Sequence, residues 1–406
     1  MSLIPVAEAL RRVLASAEPV EAEEIPVHEG FGRTLAADVV ALRTQPPFAA
    51  SAMDGYAVRA ADVATPPVAL RLVGSSVAGR GFRGKVEAGE AVRIFTGAPL
   101  PDGTDAIVMQ ENADAAGGAV TIREPAAPGR FVRPSGLDFT AGTALLTAGR
   151  RLDARRLALA AAAGHARLSV RRKPRVAILA TGDELVRPGE EAGPDQIVAS
   201  NPIALAALVQ QAGGEAVDIG IARDTLDDLE RGVDAARASR ADLLVTLGGA
   251  SVGEHDLVRS ALARQGMNLG FWRVALRPGK PLMHGRLGSM LLLGLPGNPV
   301  SAIVCGLLFV TPLIRALLGD PEAGADRLEP AVLGADLPAN DDRQDHIRAR
   351  LGPCTAGAPT ATPFPKQDSS MLSFLAEADA LIVRPPHAAA AKAGEPCGIL
   401  KLDGFL

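Results

Sequence analysis

Residues 243–256 read LLVTLGGASVGEHD, an apolar run followed by small residues. Those small residues include Gly248, Gly249, Ser251 and Gly253. An apolar run that stops at glycines and a hydroxyl predicts a buried strand ending in a tight loop. Glycine lets backbone amides approach a ligand closely, and such a loop before a helix is suited to bind an anion. The alternative is a strand-to-helix turn that binds nothing.

Alternating strands and helices surround this stretch. Predicted strands cover 175–181, 215–222, 243–248, 272–276 and 290–295, and predicted helices cover 202–211, 225–238, 256–265 and 299–318. Alternation of this kind predicts a mostly parallel sheet with helices on both faces. We therefore expect a three-layer α/β domain over residues 173–321.

The rest of the chain predicts a multidomain protein of α/β plus β class. Residues 47–138 contain short alternating runs between glycines, which indicate an inserted small β module. The flanking segments 1–46 and 139–172 contain helical patterns, and we expect them to form one discontinuous helical and linker domain. Proline and glycine become frequent near Glu322, and residues 322–406 predict a C-terminal β domain.

Composition excludes several classes of protein. The 406 residues carry a formal net charge of −4 and only 3% aromatic residues, so neither a basic nucleic-acid face nor a base-stacking surface is expected. The three cysteines are far apart in sequence and belong to no CxxC motif, which favours a cytoplasmic protein without disulfides. The apolar stretch at 290–314 is interrupted by GLPGNP, so we expect a core helix and no membrane association.

Charged residues follow the predicted strands, and parallel strands would bring them to one edge of the sheet. The carboxylates are Glu184, Asp224 and Asp256, and the cations are Arg273, Arg277 and Lys280. Carboxylates bind Mg²⁺, whereas cations and helix amides bind phosphate or another oxyanion. The two sets together suit a metal-bridged phosphate substrate. Asp224 and Asp256 have an alternative role as helix caps.

A second loop at this edge reads GLPGNPVS, residues 294–301. Its prolines predict a rigid loop, and Asn298-Pro299 predicts a helix that begins with proline. The loop could present amides to an anion, with a purely structural strand-helix joint as the alternative.

Six stretches in fixed order resemble the signature motifs of the MoeA family. They are SAMDGYAVR (51–59), RIFTGAPLP (93–101), TGDEL (181–185), GGASVGEHD (248–256), FWRVALRPGKP (271–281) and GLPGNPVSA (294–302). This family comprises bacterial molybdopterin molybdenumtransferases and is related to the E domain of gephyrin. The change in pattern after Glu322 is similar to the start of the family's C-terminal β domain.

The resemblance implies an activity that composition does not reveal. Members of the family insert molybdate into the dithiolene of adenylylated molybdopterin, releasing AMP and forming molybdenum cofactor, with Mg²⁺ as the usual divalent ion. It also implies a cytoplasmic homodimer whose cleft combines the α/β domain of one subunit with the β module of the other. Possible protein partners are the molybdopterin adenylyltransferase and molybdoenzyme-maturation proteins.

The resemblance and the edge chemistry together give the expected site. The expected catalytic residues are Asp54, Glu184, Asp224 and Asp256, of which Glu184, Asp224 and Asp256 are expected to bind metal. The expected substrate-binding residues are Thr96, Arg133, Asp138, Thr181, Gly248, Gly249, Ser251, Gly253, Arg273, Arg277, Lys280, Pro296, Gly297, Asn298, Pro299 and Ser369.

The sequence departs from the family pattern at three places. Arg273 and Arg277 stand where lysines are common, which keeps the charge but changes the hydrogen-bonding geometry. Leu137 replaces a common acidic residue, and QIVASN (196–201) lacks the usual Tyr-Asp before Ser-Asn. Two other functions stay open at this point: a molybdopterin adenylyltransferase that consumes ATP, and a non-catalytic scaffold like gephyrin.

Overall fold

The computed structural model describes residues 3–249, 257–355 and 357–402. Its central domain contains a six-stranded sheet. The strands are β1 (Arg175–Thr181), β2 (Glu215–Ala222), β3 (Leu243–Leu247), β4 (Asn268–Trp272), β5 (Met283–Leu287) and β6 (Met290–Leu295). Their order is β2-β1-β3-β6-β5-β4, and the first four are parallel. The predicted mostly parallel α/β domain is therefore confirmed.

The predicted strand 272–276 is wrong. Strand β4 already ends at Trp272, and Leu276–Arg277 pairs in parallel with Gln344–Thr355 of the C-terminal domain. Strand β5, which was not predicted, lies between β4 and β6 and is antiparallel to both. Its sequence MHGRL lacks an apolar run, so periodicity did not reveal it, although Gly288 with a φ of 64° forms the turn that joins the two strands.

Helices cover both faces of the central sheet. They are Asn201–Gln211, Leu226–Ala238, Leu257–Arg264 and a long segment formed by Pro299–Cys305, a π-helical turn at Gly306–Val310 and Thr311–Leu317. One core packs the long segment against β1, β3 and β6, and a second core lies on the opposite face. Pro299–Leu317 is long and apolar enough to cross a membrane, but 72% of its most apolar window is buried inside the protein.

The N-terminal segments join two parts of the molecule. Helix Val6–Ala15 packs into the core of the α/β domain through Val6, Ala9 and Val13. Further along, strand Ala22–Pro26 pairs with Arg167–Arg171, and Val39–Val40 pairs with Ala144–Leu146. Helix Ala154–Ala162 begins at Asp153, whose carboxylate accepts a hydrogen bond from the backbone N–H of Arg156.

A second six-stranded sheet forms the inserted β module. Its strands, in spatial order, are Ala106–Met109, Gly55–Val58, Glu90–Ile94, Val68–Ser76, Ala119–Ile122 and Ala113–Ala116. Strand Gly55–Val58 is buried and paired on both sides. A Cβ atom at Gly55 would lie 2.0 Å from the carbonyl oxygen of Val108, so only glycine fits there. Beside the sheet, Val132–Arg133 pairs with Ala50–Ser51.

The C-terminal domain is a third mixed sheet. Its own strands are Glu329–Leu333, Gln344–Thr355, Ala358–Pro363, Ala380–Arg384 and Pro396–Lys401, with a short helix at Leu372–Ala376. The strand Leu276–Arg277 of the central domain adds to its edge. This pairing makes the two domains share a sheet at the point where the FWRVALRPGKP motif passes between them.

Candidate functional site

The carboxyl ends of β1, β3 and β6 meet at one edge of the central sheet. The backbone N–H of Gly248 donates a hydrogen bond to the carbonyl of Leu295 at 3.1 Å, and Thr181 Oγ1 donates to the carbonyl of Leu247 at 3.4 Å. A Cβ atom at Gly297 would lie 3.5 Å from Gly248 Cα. The loops that begin at Thr181, Gly248 and Pro296 are thus brought into contact, as the parallel order predicts.

Glycine is required where β3 leaves the sheet. Gly248 and Gly249 have φ values of 98° and 64°, in the left-handed region. A Cβ atom at Gly249 would also lie 2.1 Å from Val258 Cγ2, so the chain turns tightly against the following helix. The predicted site residues Ser251, Gly253 and Asp256 lie outside the described residues.

Three carboxylates gather at the ends of β1 and β2. The backbone N–H of Asp224 donates to Asp183 Oδ1 at 3.2 Å. The Glu184 carboxylate folds back over Gly182, where a Cβ atom would lie 2.3 Å from Glu184 Oε2. Burial and the negative charges of Asp183 and Glu184 raise the pKa of the Asp224 carboxyl above its ordinary value. Asp183 was not among the predicted site residues, although it directly precedes Glu184 in TGDEL.

The alternative role of Asp224 as a helix cap is wrong. Thr225 is the N-cap of helix Leu226–Ala238, and its hydroxyl accepts a hydrogen bond from the backbone N–H of Asp228 at 3.2 Å. The Asp224 side chain is therefore available at the sheet edge. Asp224 is one of the two acidic residues for which the capping role was considered, and the other, Asp256, is outside the described residues.

These carboxylates suit a divalent cation only in part. Within the described ranges, no group of three His, Cys, Asp or Glu side chains has the geometry to hold a metal ion. Burial, followed by the negative charges of Asp183 and Glu184, raises the pKa of Asp224, and a bound cation would favour its ionised form. Mg²⁺ is usually held by one or two carboxylates together with substrate phosphates, and the pair Glu184 and Asp224 fits that pattern.

Cations lie along the same carboxyl edge of the sheet, but beside β4, the outermost strand on the side away from β2. Strand β4 runs parallel to β6 with β5 between them, so its end at Trp272 lies at the same edge. The guanidinium carbons of Arg273 and Arg259 lie 4.6 and 4.7 Å from the centre of the Trp272 ring. Lys280 is exposed, and its backbone carbonyl accepts from the N–H of Val274 at 3.1 Å.

Arg277 does not join these cations. Its guanidinium donates to Asp341 Oδ2 at 3.2 Å, to Asn340 Oδ1 at 3.1 Å and to the carboxylate of Asp345. All three partners belong to the C-terminal domain. Hydrogen bonding to Asp345 raises the pKa of Arg277 further above its ordinary value. The predicted substrate-binding arginine therefore forms a contact between domains.

Ser369 lies against the loop 296–299. Asn298 Nδ2 donates to Ser369 Oγ at 2.9 Å, and the backbone N–H of Val300 donates to the Ser369 carbonyl at 3.0 Å. Asn201 Nδ2 donates to the carbonyl of Gly297 at 2.6 Å. Pro299 begins the following helix. The loop is thus held from both sides, by the first helix of the α/β domain and by the C-terminal domain.

Asp54 and Thr96 form a pair in the β module. Asp54 Oδ1 accepts from the backbone N–H of Thr96 at 2.7 Å and from its hydroxyl at 2.8 Å. These two bonds, with the nearby charge of Arg93, lower the pKa of the Asp54 carboxyl. Among the described residues, no hydrogen bond or ion pair of Asp54 reaches the carboxylates of the central sheet.

Arg133 and Asp138 lie on the segment that leads back from the β module. Arg133 pairs with Ala50, one residue before the SAMDGYAVR motif, and the backbone N–H of Asp138 donates to the carbonyl of Gln45 at 3.0 Å. Both side chains are exposed. The segment that carries them thus pairs with the strand that precedes Asp54.

Comparison with known proteins finds similarity along most of the chain. Family models match residues 4–164 (MoeA N-terminal region, domain I and II), 177–316 (probable molybdopterin binding domain) and 330–402 (MoeA C-terminal region, domain IV). The curated molybdopterin molybdenumtransferase of Haemophilus influenzae is 38% identical over 75% of each chain. Molybdopterin molybdenumtransferase 2 of Mycobacterium tuberculosis is 38% identical over 91% of this chain and 92% of its own length.

A solved structure shows the same fold. The molybdopterin biosynthesis MoeA protein from Pyrococcus horikosii matches with a TM-score of 0.84 and 31% sequence identity, over the whole of both chains. Sequence, domain order and fold thus agree, and the chain belongs to the MoeA family.

Proposed function

We propose that the protein is the molybdenum-inserting transferase that its relatives' names describe. It takes molybdate and adenylylated molybdopterin as substrates and releases AMP with the molybdenum cofactor. One observation carries the proposal: a single sheet edge holds a carboxylate group at one end and Arg273 at the other. A substrate with a phosphodiester at one end and a molybdate-accepting dithiolene at the other needs these two charged regions on one edge.

Each end of the edge has its own task. Glu184 and Asp224 would hold Mg²⁺, which would supply charge neutralisation at the phosphodiester. The glycine amides after β3 and the loop at Pro296 receive the molybdopterin between the two ends. Arg273 and Lys280 attract the molybdate dianion. Positioning and charge neutralisation are therefore the main contributions of the chain.

Asp54 requires a second subunit in this proposal. Its carboxylate is ionised and points from a separate domain, and a homodimer would let it complete the cleft of the partner. Two inactive variants, Asp54→Asn and Asp224→Asn, are then expected to regain activity when their subunits are mixed. If activity did not recover after confirmed subunit exchange, the shared cleft would be removed from the proposal.

We also place the activity in the cytoplasm, since Cys305, Cys354 and Cys397 are all free.

The activity is tested with purified protein, adenylylated molybdopterin, molybdate and Mg²⁺. We expect Asp224→Asn to slow AMP release at least about a hundredfold. Asp234→Asn is the matched control, because Asp234 is an exposed carboxylate on the helix that follows and pairs with Arg237 at 3.5 Å. Equal rates for both variants, or wild-type protein that consumes ATP and metal-free molybdopterin instead, would contradict the proposal.

A further inference from the structure

Four arginines gather where the N-terminal domain meets the end of the last helix of the central domain. Arg151 and Arg171 belong to the discontinuous N-terminal domain. Arg315 lies on helix Thr311–Leu317, and Arg327 lies on the segment that leads to the C-terminal domain. We call these four residues the arginine junction. They are separate from the residues of the candidate site at the carboxyl edge of the central sheet.

Strand pairing places Arg151 and Arg171 side by side. Arg151 forms an antiparallel bridge with Thr34, and on the other side of Thr34 the backbone N–H of Arg171 donates to its carbonyl at 2.8 Å. Residues directly opposite in neighbouring strands have side chains on the same face. The Nε of Arg171 is buried without a hydrogen-bond partner in the described structure, and it would lie 3.7 Å from a Cβ atom at Gly319.

The turn at residues 319–321 brings the central domain against these arginines. A Cβ atom at Gly149 would lie 2.5 Å from the carbonyl oxygen of Gly319, so the turn packs directly on the segment that leads to Arg151. Within the turn, Asp320 Oδ2 accepts a hydrogen bond from Arg315 Nε at 2.7 Å. Arginines from separate parts of the chain are therefore held around one turn.

Positive charge exceeds negative charge at this junction. Asp320 has both oxygens engaged, since Oδ2 is paired with Arg315 and Oδ1 accepts from the backbone N–H of Glu322 at 2.9 Å. Arg151 Nε donates to the carbonyl of Gly32 at 3.2 Å. Across residues 3–249, 257–355 and 357–402, Arg151 has no ion pair, and its two terminal amino groups make no hydrogen bond.

The pKa values of two junction arginines are lowered. Partial desolvation and the like charge of Arg315 lower the pKa of Arg151 below its ordinary value. The same two causes lower the pKa of Arg327, while the attraction of Asp320 opposes them. An anion bound among these side chains would offset the repulsion, and guanidinium groups hold oxyanions through several N–H donors at once.

We propose that the arginine junction binds a small tetrahedral oxyanion with two negative charges, of which inorganic phosphate is the simplest example. The terminal amino groups of Arg151 and the buried Nε of Arg171 donate to it, and Arg315 and Arg327 supply further positive charge. The bound ion holds the N-terminal domain, the last central helix and the segment before the C-terminal domain together. This inference is independent of the proposed function, because none of the four arginines takes part in that reaction.

Calorimetric titration of the full chain with inorganic phosphate, at constant ionic strength, tests the site. We expect Arg151→Gln to weaken phosphate binding at least about tenfold, because it removes charged donors. Asp320→Asn should strengthen binding about threefold or more, because it removes a competing negative charge. Arg155→Gln is the matched control, since Arg155 is an exposed arginine of the same domain, paired with Asp153 at 2.8 Å. Thermal melting shows that each variant is folded.

Hydrogen exchange distinguishes the junction from the sheet edge, where Arg273 and Lys280 also attract oxyanions. Phosphate should slow exchange in residues 315–328 of the wild-type protein, and this protection should be lost in Arg151→Gln. At ten times its Kd, phosphate should raise the melting temperature of the wild-type protein by about 2 °C more than that of Arg151→Gln. Sulfate should act like phosphate, because it has the same shape and charge.

Four results would overturn the inference. The first is phosphate protection confined to the sheet edge, since the ion would then bind only at the candidate site. The second is equal phosphate affinity of the wild-type protein and a folded Arg151→Gln variant. The third is weaker binding by a folded Asp320→Asn variant. The fourth is an equal effect of sodium chloride at matched ionic strength, because screening alone would then explain the stabilisation.

Discussion

Arg277 of the central domain is paired with Asp345 of the C-terminal domain, directly across two parallel strands. Asp345 is buried, with only 6% of its side chain exposed, and its second oxygen has no hydrogen-bond partner. The buried carboxylate of Asp345 therefore depends on Arg277 to stabilise its charge. A motif residue that the family resemblance assigns to the substrate cleft is, in this chain, committed to holding two domains together.

Arg277→Ala should consequently reduce stability more than it reduces affinity for molybdate. We expect a loss of about 1–3 kcal/mol, because Arg277 itself is partly exposed and the pair is partly screened. Chemical denaturation measures the loss. Lys280→Ala is the matched comparison and should raise the KM for molybdate without changing stability. If Arg277→Ala raised that KM and left unfolding unchanged, Arg277 would belong to the cleft after all.

Gly55→Ala should prevent the β module from folding normally. The added methyl group would lie 2.0 Å from the Val108 carbonyl and 3.0 Å from Met109 Cα, both backbone atoms in a paired strand. We expect at least about 3 kcal/mol of destabilisation, measured by denaturation or by hydrogen exchange of the module. Gly352→Ala serves as control because its nearest contact would be an ordinary 3.7 Å. Equal stability of the two variants would contradict the close approach at Gly55.

Thr96→Val should change the titration of Asp54. Both Thr96 bonds favour the ionised carboxylate, so their contribution to stability is present above the ordinary pKa of aspartate and is lost as pH falls through the lowered pKa of the native state. Removing the hydroxyl should move the pKa of Asp54 upward toward 3.8, its ordinary value. Carbon-detected NMR of the carboxyl group measures the shift. An unchanged pKa would show that the hydroxyl contributes nothing to Asp54.

Mg²⁺ should stabilise the protein at neutral pH through Asp224. Because burial and neighbouring carboxylates raise the pKa of Asp224, its contribution to stability is full below the ordinary pKa and is lost as pH rises through the raised one. A bound cation would compensate above that range. We expect Mg²⁺ to raise the melting temperature of wild-type protein, and to have little effect on Asp224→Asn. The Asp234→Asn control should respond like wild type, and equal responses of all three would argue against this metal site.

The sequence predicts the elements that bury an uninterrupted apolar run and misses those that do not. Strands β1, β3 and β6 have the predicted positions, because strands covered on both faces require such runs. The edge strand β2 also has its predicted position, although Asp218 interrupts its apolar residues. Strand β5 was missed, since its MHGRL sequence mixes a histidine, a glycine and an arginine among two apolar residues. The position of β5 between β4 and β6 and its hairpin turn are set by pairing with its neighbours, which periodicity along one strand does not report.

The candidate site was likewise predictable from the sequence only in part. The meeting of Thr181, Gly248 and Pro296 follows from parallel strand order alone, and the resemblance directed attention to Asp54 before any contact was known. Neither parallel strand order nor the family resemblance could predict the partners of Arg277, because these partners are more than sixty residues away in another domain. Asp183 was not predicted for a different reason: it stands beside a carboxylate that had already been chosen, and only its contact with Asp224 distinguishes it.

The most direct measurement counts the products of one turnover, with enzyme in excess over adenylylated molybdopterin and with molybdate present or omitted. The account predicts that one AMP is released for each molybdenum atom inserted, and that omission of molybdate leaves the phosphodiester largely intact. AMP release at the same rate without molybdate, or molybdenum insertion with the adenylyl group retained, would contradict the claim that this sheet edge couples the two events.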